Sequence, residues 1–247
     1  MRFAKSLCLL FWASLLLGLP FSVVATPLLV LDAGHTPQQG GALGIQGIYE
    51  VVYNDRFVAE LKPALEQAGW RVLLTRTPAQ NITLAQRAAL ANQHQAHLFL
   101  SIHHDSAQMH YLEAITVNGK PAYQTRQPIR GYSLFVSQLN PHFAQSQRLA
   151  ETLGKQLYRL KRPPTLHHAE AIAGENRPLL NKQYGVYQYD QLAVLRQTTM
   201  PAVLLEIGVI VDKEDEAYIS QASHRKAMIQ AIVQALQVYQ TVAAHPD

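Results

Sequence analysis

An apolar run that ends in an imidazole places the strongest constraint on how this chain can fold. Leu28–His35 consists of large aliphatic residues followed by Asp-Ala-Gly-His, which is typical of a strand buried on both faces. Two later runs repeat the pattern, since Ala96–Asp105 ends in two histidines and an aspartate, and Pro201–Gly208 carries Glu206 near its end. Open α/β sheets place their sites at the carboxyl ends of such strands. We therefore expect these polar side chains to meet at one edge of a sheet.

The composition is that of a globular protein of ordinary size. The chain has 247 residues, of which 48% are hydrophobic and 15% are charged, and its formal net charge is +4. We expect a single domain with a substantial core. Lys and Arg are scattered, and their densest cluster, Tyr158–Pro164, is typical of a solvated helix end. The sequence therefore predicts no nucleic-acid partner.

The first 25 residues have the features of an export signal peptide. Arg2 and Lys5 form a basic start, Leu7–Leu19 is apolar, and Ala25 is a small residue suited to cleavage. We expect the mature chain to begin near Thr26, with its formal charge lowered from +4 to +2 by the loss of two basic residues. An uncleaved membrane anchor is the alternative, but the apolar stretch is shorter than the ~20 residues that a spanning helix needs.

Signal cleavage would also remove Cys8, the single cysteine of the chain. The exported protein would then have no disulfide, and its stability must come from its core. Any metal site must likewise be built from histidines and carboxylates. The expected location is the periplasm or another extracytoplasmic compartment, with no stable membrane anchor after cleavage.

The predicted elements alternate between strands and helices. After the first strand, a glycine-rich loop leads into a helix with Glu50 at its start, Gly69 closes that helix, and Trp70–Arg76 fits a second strand. Thr83 and Gln86 form a capping box for the next helix. Such alternation predicts parallel strands joined by right-handed crossovers. The expected fold class is α/β, with a single domain built on a mostly parallel central sheet of about six strands and helices on both faces.

Two polar segments, 106–130 and 163–180, interrupt this alternation and are predicted to be irregular insertions near the site within a catalytic domain spanning 26–247. The remaining sequence predicts a strand at Gly131–Ser137, a helix at Ala144–Leu160, the last strands at Leu192–Arg196 and Pro201–Ile210, and a closing helix from Tyr218 to about Val242.

The polar residues at the strand ends suit a catalytic zinc site. Such a site needs three protein ligands and an open position for water, and His35, Glu50 and His103 provide that number. Glu206, late in an apolar strand, could serve as the base beside the bound water. The alternatives are a structural role for His35 at its strand end and an ion pair between Glu206 and an arginine.

Several strings of this sequence resemble the zinc-dependent N-acetylmuramoyl-L-alanine amidases that remodel bacterial peptidoglycan. They are LVLDAGH, GIYE before a helix, TR after the second strand, LAQRAALAN, SIHHD and PAVLLEIG, in the family's order and spacing over Leu28–Tyr239. The resemblance implies one Zn²⁺ ion held by His35, Glu50 and His103, with Glu206 as the catalytic base and acid. The implied reaction is hydrolysis of the amide between N-acetylmuramic acid and the L-alanine of the stem peptide.

The sequence departs from the family pattern at two places. His104 and Asp105 replace the usual Ala-Asn after the second metal histidine. Side chains alternate along a strand, so we assign His103 as the ligand and predict that His104 is a rim residue able to touch substrate. Val209–Lys213 replaces the usual Phe-Leu-Ser-Asn after the catalytic glutamate, which leaves the local substrate contacts open.

The segment Leu166–Asn176 could be a regulatory lid over the zinc or an ordinary surface loop. In some relatives, a helix in this region covers the zinc and can supply a glutamate as an extra ligand, and a protein activator must displace it before cleavage. Glu170 or Glu175 could act in that way here. The plain interpretation is a surface loop whose histidines line the groove. Glu175 and Arg177 could alternatively fix each other or hold the stem peptide.

Two other functions remain open at this point. A zinc carboxypeptidase-like peptide hydrolase would use the same metal chemistry on a different bond. A non-catalytic wall-binding regulator would bind peptidoglycan without cleaving it, but it would have no need for a base beside a metal site.

Overall fold

The structure is a computed structural model that describes residues 26–244 and the side chains of residues 26–241. The predicted signal peptide, residues 1–25, lies outside the described residues. In chain order, the helices and strands are β1 (Leu28–Ala33), α1 (Glu50–Gln67), β2 (Arg71–Leu74), α2 (Leu84–Gln93), β3 (Leu98–Asp105), β4 (Leu112–Val117), β5 (Lys120–Thr125), β6 (Ser133–Val136), α3 (Phe143–Arg159), β7 (Leu179–Asn181), β8 (Val186–Gln188), α4 (Ala193–Gln197), β9 (Ala202–Val209), α5 (Lys213–Ser220) and α6 (Ala222–Ala244).

A seven-stranded mixed sheet runs through the described part of the chain, in the order β2-β1-β3-β9-β6-β8-β7. Four neighbouring pairs are parallel, whereas β6 pairs antiparallel with β9 and β7 antiparallel with β8. The predicted α/β domain with a mostly parallel sheet is therefore confirmed. The sheet has seven strands rather than about six because β7 and β8, of three residues each, are too short to show a pattern in the sequence.

Alternating side chains divide the core between the two faces of the sheet. In β1, Leu29 and Leu31 belong to a cluster that includes residues of α1, α3 and α6. Leu28 and Val30 belong to a second cluster with residues of α2 and α4. This alternation explains the continuous apolar runs, since both faces are covered by helices. The prediction of helices on both faces is confirmed.

The sheet order creates a switch point beside β1. The chain leaves β1 for β2 through α1, and then returns through α2 to β3 on the other side of β1. The carboxyl ends of β1 and β3 therefore flank a crevice of the kind in which open α/β sheets bind their ligands. His35 follows β1, and His103 lies near the end of β3.

Three predicted elements differ from the structure. Residues Leu192–Arg196 are predicted as a strand, but α4 occupies this position, because Val194 and Leu195 pack across one sheet face instead of joining the sheet. The segment 106–130 contains the antiparallel hairpin β4–β5 around Asn118 and Gly119. The closing helix is divided at Gln221 into α5 and α6. None of the described helices combines the length and the apolar composition that crossing a membrane would require.

Candidate metal centre

Three predicted ligands meet at the switch point. His35 Nε2 lies 2.8 Å from Oε2 of Glu50, and His103 Nδ1 lies 2.9 Å from Oε1 of the same carboxylate. One donor atom from each of the three residues lies within 4.8 Å of the others. The structure thus brings together a His, Glu, His group that could hold a metal ion.

Two buried arginines fix the backbone that carries His35. His35 adopts a left-handed φ of 63°, an uncommon conformation for a residue other than glycine. Its carbonyl accepts hydrogen bonds from Arg76 Nε at 2.8 Å and from Arg87 Nη2. Arg87 also pairs with Asp32 at 2.6 Å, and both of these side chains are buried. The turn after β1 is therefore anchored by the residue that follows β2 by two positions and by α2.

Glu50 begins α1 and is held by several donors. Its Oε1 accepts from Asn54 Nδ2 at 3.1 Å and from the backbone N–H of His104 at 3.2 Å. Burial alone would raise the pKa of Glu50, but the hydrogen bonds and charges of His103 and His35 outweigh it and keep the pKa below its usual value. The carboxylate therefore stays ionised and oriented towards both imidazoles.

Two glycines leave the space that these side chains occupy. A Cβ on Gly34 would overlap the imidazole ring of His103. A Cβ on Gly41 would overlap the Glu50 carboxylate and approach His35, and Gly41 also has a left-handed φ of 77°. Gly34 of the LVLDAGH run and Gly41 of the following loop are therefore required by the packing of His35, Glu50 and His103.

Glu206 lies beside this group. In the parallel pairing of β3 and β9, His103 is the register partner of Glu206. The Oε2 atom of Glu206 is buried and has no hydrogen-bond partner among the residues that the structure describes. Burial, reinforced by the carboxylates of Asp105 and Glu50, raises the pKa of Glu206 well above its usual value. The carboxyl group is therefore poised to take up a proton.

The prediction that His104 is a rim residue is wrong. His104 is 2% exposed and packs against Tyr53 and Phe57 of α1. Its Nδ1 lies 2.7 Å from Oδ1 of Asn54, and burial lowers its pKa to about 3. Alternation does separate His103 from His104, but the face opposite the site is covered by a helix, so His104 is a core residue.

Two cavities meet at His103. One, of about 270 Å³, is lined by His103 and Glu206 together with Asp105, His168 and Arg177. The other has a volume of about 310 Å³ and is lined by His35 and His103 and by Thr36 and Gln39 of the loop after β1. Leu84 and Ala193, the first residues of α2 and α4, also line it. Leu192 and Leu204 border both cavities. A substrate that extends in two directions from the His103 side chain has room on each side.

A second polar cluster was not predicted as a unit. Asp105 Oδ2 lies 2.8 Å from His168 Nε2 and 3.7 Å from His167 Nε2. Burial would lower the pKa of His168, but the charge of Asp105 and hydrogen bonds to Asp105 and Glu175 raise it to about 9. Burial lowers the pKa of His167. Strand alternation places Asp105 on the same face as His103, and this signal could have indicated that Asp105 faces the cavity.

Glu175 does not approach the first group as an extra ligand in this structure. Its carboxylate contacts His168 Nδ1 and Arg177 instead. The predicted possibility that Glu175 and Arg177 fix each other is therefore confirmed. Arg177 also lies over the ring of Tyr189, 4.2 Å from its centroid. Glu170 is likewise outside the His35, Glu50 and His103 group.

Comparison with known proteins agrees with the geometry. The profile of the family described as N-acetylmuramoyl-L-alanine amidase matches residues 29–238. A curated relative, the "Probable cell wall amidase LytH" of Staphylococcus saprophyticus, is 31% identical over 214 residues, which make up 85% of this chain and 57% of that protein. The chain therefore spans a little more than half the length of the curated relatives that it matches.

Solved structures share the fold. The catalytic domain of CwlV, an N-acetylmuramoyl-L-alanine amidase from Bacillus (Paenibacillus) polymyxa, aligns with a TM-score of 0.64 and 24% identity, covering 87% of this chain and 99% of that one. The CwlD amidase from Clostridioides difficile, solved in complex with the GerS lipoprotein, aligns with a TM-score of 0.65 and 19% identity over the same shares. At these identities, the likeness concerns the fold.

Proposed function

The chain belongs to the N-acetylmuramoyl-L-alanine amidase family, and from that premise we propose that it hydrolyses the amide between the lactyl group of N-acetylmuramic acid and the L-alanine of the peptidoglycan stem peptide. The single observation that carries the proposal is the meeting of His35, Glu50 and His103 within 4.8 Å, with Glu206 beside them on the next strand. A group of this composition at a switch point suits metal-assisted amide hydrolysis.

We assign His35, Glu50 and His103 as the ligands of one Zn²⁺ ion. Two imidazoles and a carboxylate form a donor set found in catalytic zinc sites, and the space left by Gly34 and Gly41 supports the fit. A zinc ion in such a site polarises a carbonyl and lowers the pKa of a bound water towards ~7. The chain contributes the position of His35, because the two buried arginines hold its carbonyl, and that of Glu50, whose carboxylate accepts hydrogen bonds from α1 and β3.

Glu206 would be the catalytic base and then the acid. Its Oε2 atom makes no hydrogen bond within the described part of the chain, and its raised pKa favours proton uptake. Glu206 takes a proton from the attacking water and passes it to the amide nitrogen as the C–N bond breaks. The products are a lactyl carboxylate on the sugar and a free amino group on the L-alanine.

The two cavities beside His103 support a branched substrate. The scissile amide joins a glycan to a peptide, so chain must extend from it in both directions. We propose that one cavity, lined by Glu206 and Arg177, and the other, lined by His35 and Gln39, hold these two parts. The rival carboxypeptidase-like function would need only one long arm beyond the scissile bond.

We further propose an extracytoplasmic location and a protein partner. The predicted signal peptide in residues 1–25 and the cell-wall role in the relative's name support the location. The CwlD amidase was solved with a lipoprotein, which supports regulation by a partner. Leu166–Asn176 is the expected contact region, since His168 and Glu175 of this segment line the cavity beside Glu206. A partner that moves the segment would change access to that cavity.

Mass analysis of digested peptidoglycan tests the proposed reaction. The purified protein should release intact stem peptides that begin with a free L-alanine and should leave the glycan strands uncut. His35→Ala should abolish release, whereas His94→Ala, which removes an exposed histidine at the end of α2, should not. Trimmed peptides still attached to muramic acid would instead indicate a peptidase, and no release would indicate a binding protein.

A further inference from the structure

A second group of potential metal ligands lies outside the proposed catalytic set. Asp105 ends β3, and His167 and His168 lie in a short 3-10 turn at His167–Ala169. One donor atom from each residue lies within 4.8 Å of the other two. All three residues are buried, at 8%, 4% and 8% exposure respectively. The two imidazole rings lie against each other with centroids 3.8 Å apart.

Both histidines direct the same nitrogen towards Asp105. The Nδ1 atom of His167 lies 2.7 Å from the hydroxyl of Thr165, and the Nδ1 atom of His168 lies 2.9 Å from Oε2 of Glu175. These contacts leave both Nε2 atoms facing Oδ2 of Asp105. Metal-binding histidines are commonly held in this way, with the second ring nitrogen bonded to a carboxylate or another oxygen.

One of these nitrogens lacks a partner. The Nε2 atom of His167 is buried and makes no hydrogen bond with the described residues. Its distance of 3.7 Å from Oδ2 of Asp105 is too long for a hydrogen bond. A buried polar atom without a partner costs free energy. An ion between the three side chains would satisfy it.

We propose that Asp105, His167 and His168 form a second metal site, separate from the proposed catalytic set, that binds Zn²⁺ or a similar divalent transition-metal ion. Imidazole and carboxylate ligands suit such ions. Metal–ligand bonds of ~2.0–2.1 Å in a tetrahedral site place neighbouring ligand atoms ~3.3 Å apart. The distances of 2.8 Å and 3.7 Å to Asp105 lie on either side of this value, so small side-chain shifts suffice.

The site would join two distant parts of the chain at the cavity wall. Asp105 belongs to the central sheet, whereas the histidines belong to the segment between α3 and β7. Asp105, His168 and Glu175 also line the cavity that contains Glu206. A cation there would link this segment to the sheet and offset the negative charges of Asp105 and Glu175. The site does not depend on the reaction proposed above.

Metal counting on site variants tests the proposal. The purified protein is stripped with a chelator, reloaded with Zn²⁺ and freed of excess ion, and its zinc content is measured. We expect two equivalents in the wild type, one in His35→Ala, one in His167→Ala and none in the double variant. His94→Ala is the matched control and should keep two. If the wild type holds a single equivalent of zinc and His167→Ala loses it, the result would support this site and contradict the proposed catalytic site.

The opposite result is equally clear. The proposal is overturned if zinc content is the same in wild type and His167→Ala, whatever the total. Asp105→Asn, which keeps the shape of the side chain, provides a second variant if His167→Ala does not fold, as judged by circular dichroism. Co²⁺ loaded into His35→Ala gives an independent readout. We expect His35→Ala to show the visible absorption of bound Co²⁺, and we expect the double variant of His35→Ala and Asp105→Asn to lack it. A His35→Ala protein without this absorption would overturn the proposal.

Discussion

The absence of a side chain at Gly34 allows the His103 imidazole to occupy its position. A Cβ at this position would overlap the ring, so the ring would have to move out of its present position towards one of the two cavities that it lines. We predict that Gly34→Ala displaces His103 and weakens zinc binding by ~10-fold or more, which is the range seen when the support of a metal ligand is disturbed. Competition with a chelating dye measures this affinity.

Gly69→Ala is the matched control for this substitution. Gly69 has a left-handed φ of 90°, and no atom of residues 26–244 outside its immediate neighbours lies within 4 Å of an added Cβ. The change should therefore cost about 1 kcal/mol of unfolding free energy through backbone strain and leave zinc affinity unchanged. Equal zinc affinities for Gly34→Ala and the wild type would refute the packing argument.

Neighbouring histidines show how far the sequence alone could be interpreted. Alternation along a strand correctly separates His103 from His104, but it does not tell which face stays open. That depends on α1, whose Asn54 and Phe57 enclose His104. Asp105 returns to the open face, yet its partners His167 and His168 lie more than sixty residues away. Contacts at such a separation leave no local signal.

Glu216 connects α5 to the loop before α1. It is 1% exposed, and its carboxylate accepts hydrogen bonds from Tyr53 Oη at 2.6 Å and from the backbone N–H of Gln46 at 3.0 and 3.1 Å. A Cβ on Gly44 would overlap this carboxylate. The loop that precedes Glu50 is therefore fixed from the other end of the chain.

The ionisation of Glu216 should make stability depend on pH. Burial raises the pKa of Glu216 from its usual value of 4.5, although hydrogen bonds from Tyr53 and Gln46 oppose the shift. The folded state thus holds the proton more tightly, so this contribution to stability is complete below pH 4.5 and is lost as the pH rises through the folded-state pKa. We predict that the unfolding free energy of wild type, relative to Glu216→Gln, falls between pH 4.5 and neutral pH.

Urea unfolding of both proteins across this range provides the measurement. Glu214→Gln, which removes an exposed carboxylate from the same helix, controls for the general loss of charge. A difference between wild type and Glu216→Gln that stays constant or grows with pH would rule out the predicted linkage.

Regular elements were predictable where a local rule identifies them. The capping box of Thr83 and Gln86 predicts a helix start, and α2 begins directly after it at Leu84. By contrast, Leu192–Arg196 has an apolar run too short to distinguish a strand from a helix, and tertiary packing makes it α4. The Asn118–Gly119 turn is a recognised hairpin signal, and it could have identified β4 and β5 within the polar segment.

The position of the proposed active site follows from the topology of the whole molecule. Strand order places β1 between β2 and β3, so the crossovers diverge and open a crevice at the carboxyl ends. The three predicted ligands arrive there from β1, α1 and β3, and Glu206 arrives from β9. Each sequence run could be recognised separately, whereas the cavity beside His35 depends on how far α2 and α4 cover the sheet, and the cavity beside Glu206 depends on the segment that carries His168 and Arg177.

Release of free stem peptides from purified peptidoglycan, measured together with the zinc content of each sample, tests the central claim most directly. We predict that chelation abolishes release. We also predict that Glu206→Gln lowers release by ~10²–10⁴-fold, the range expected for loss of a general acid–base group, while its zinc content equals that of the wild type. Full turnover by the chelated protein, or by Glu206→Gln, would contradict the account.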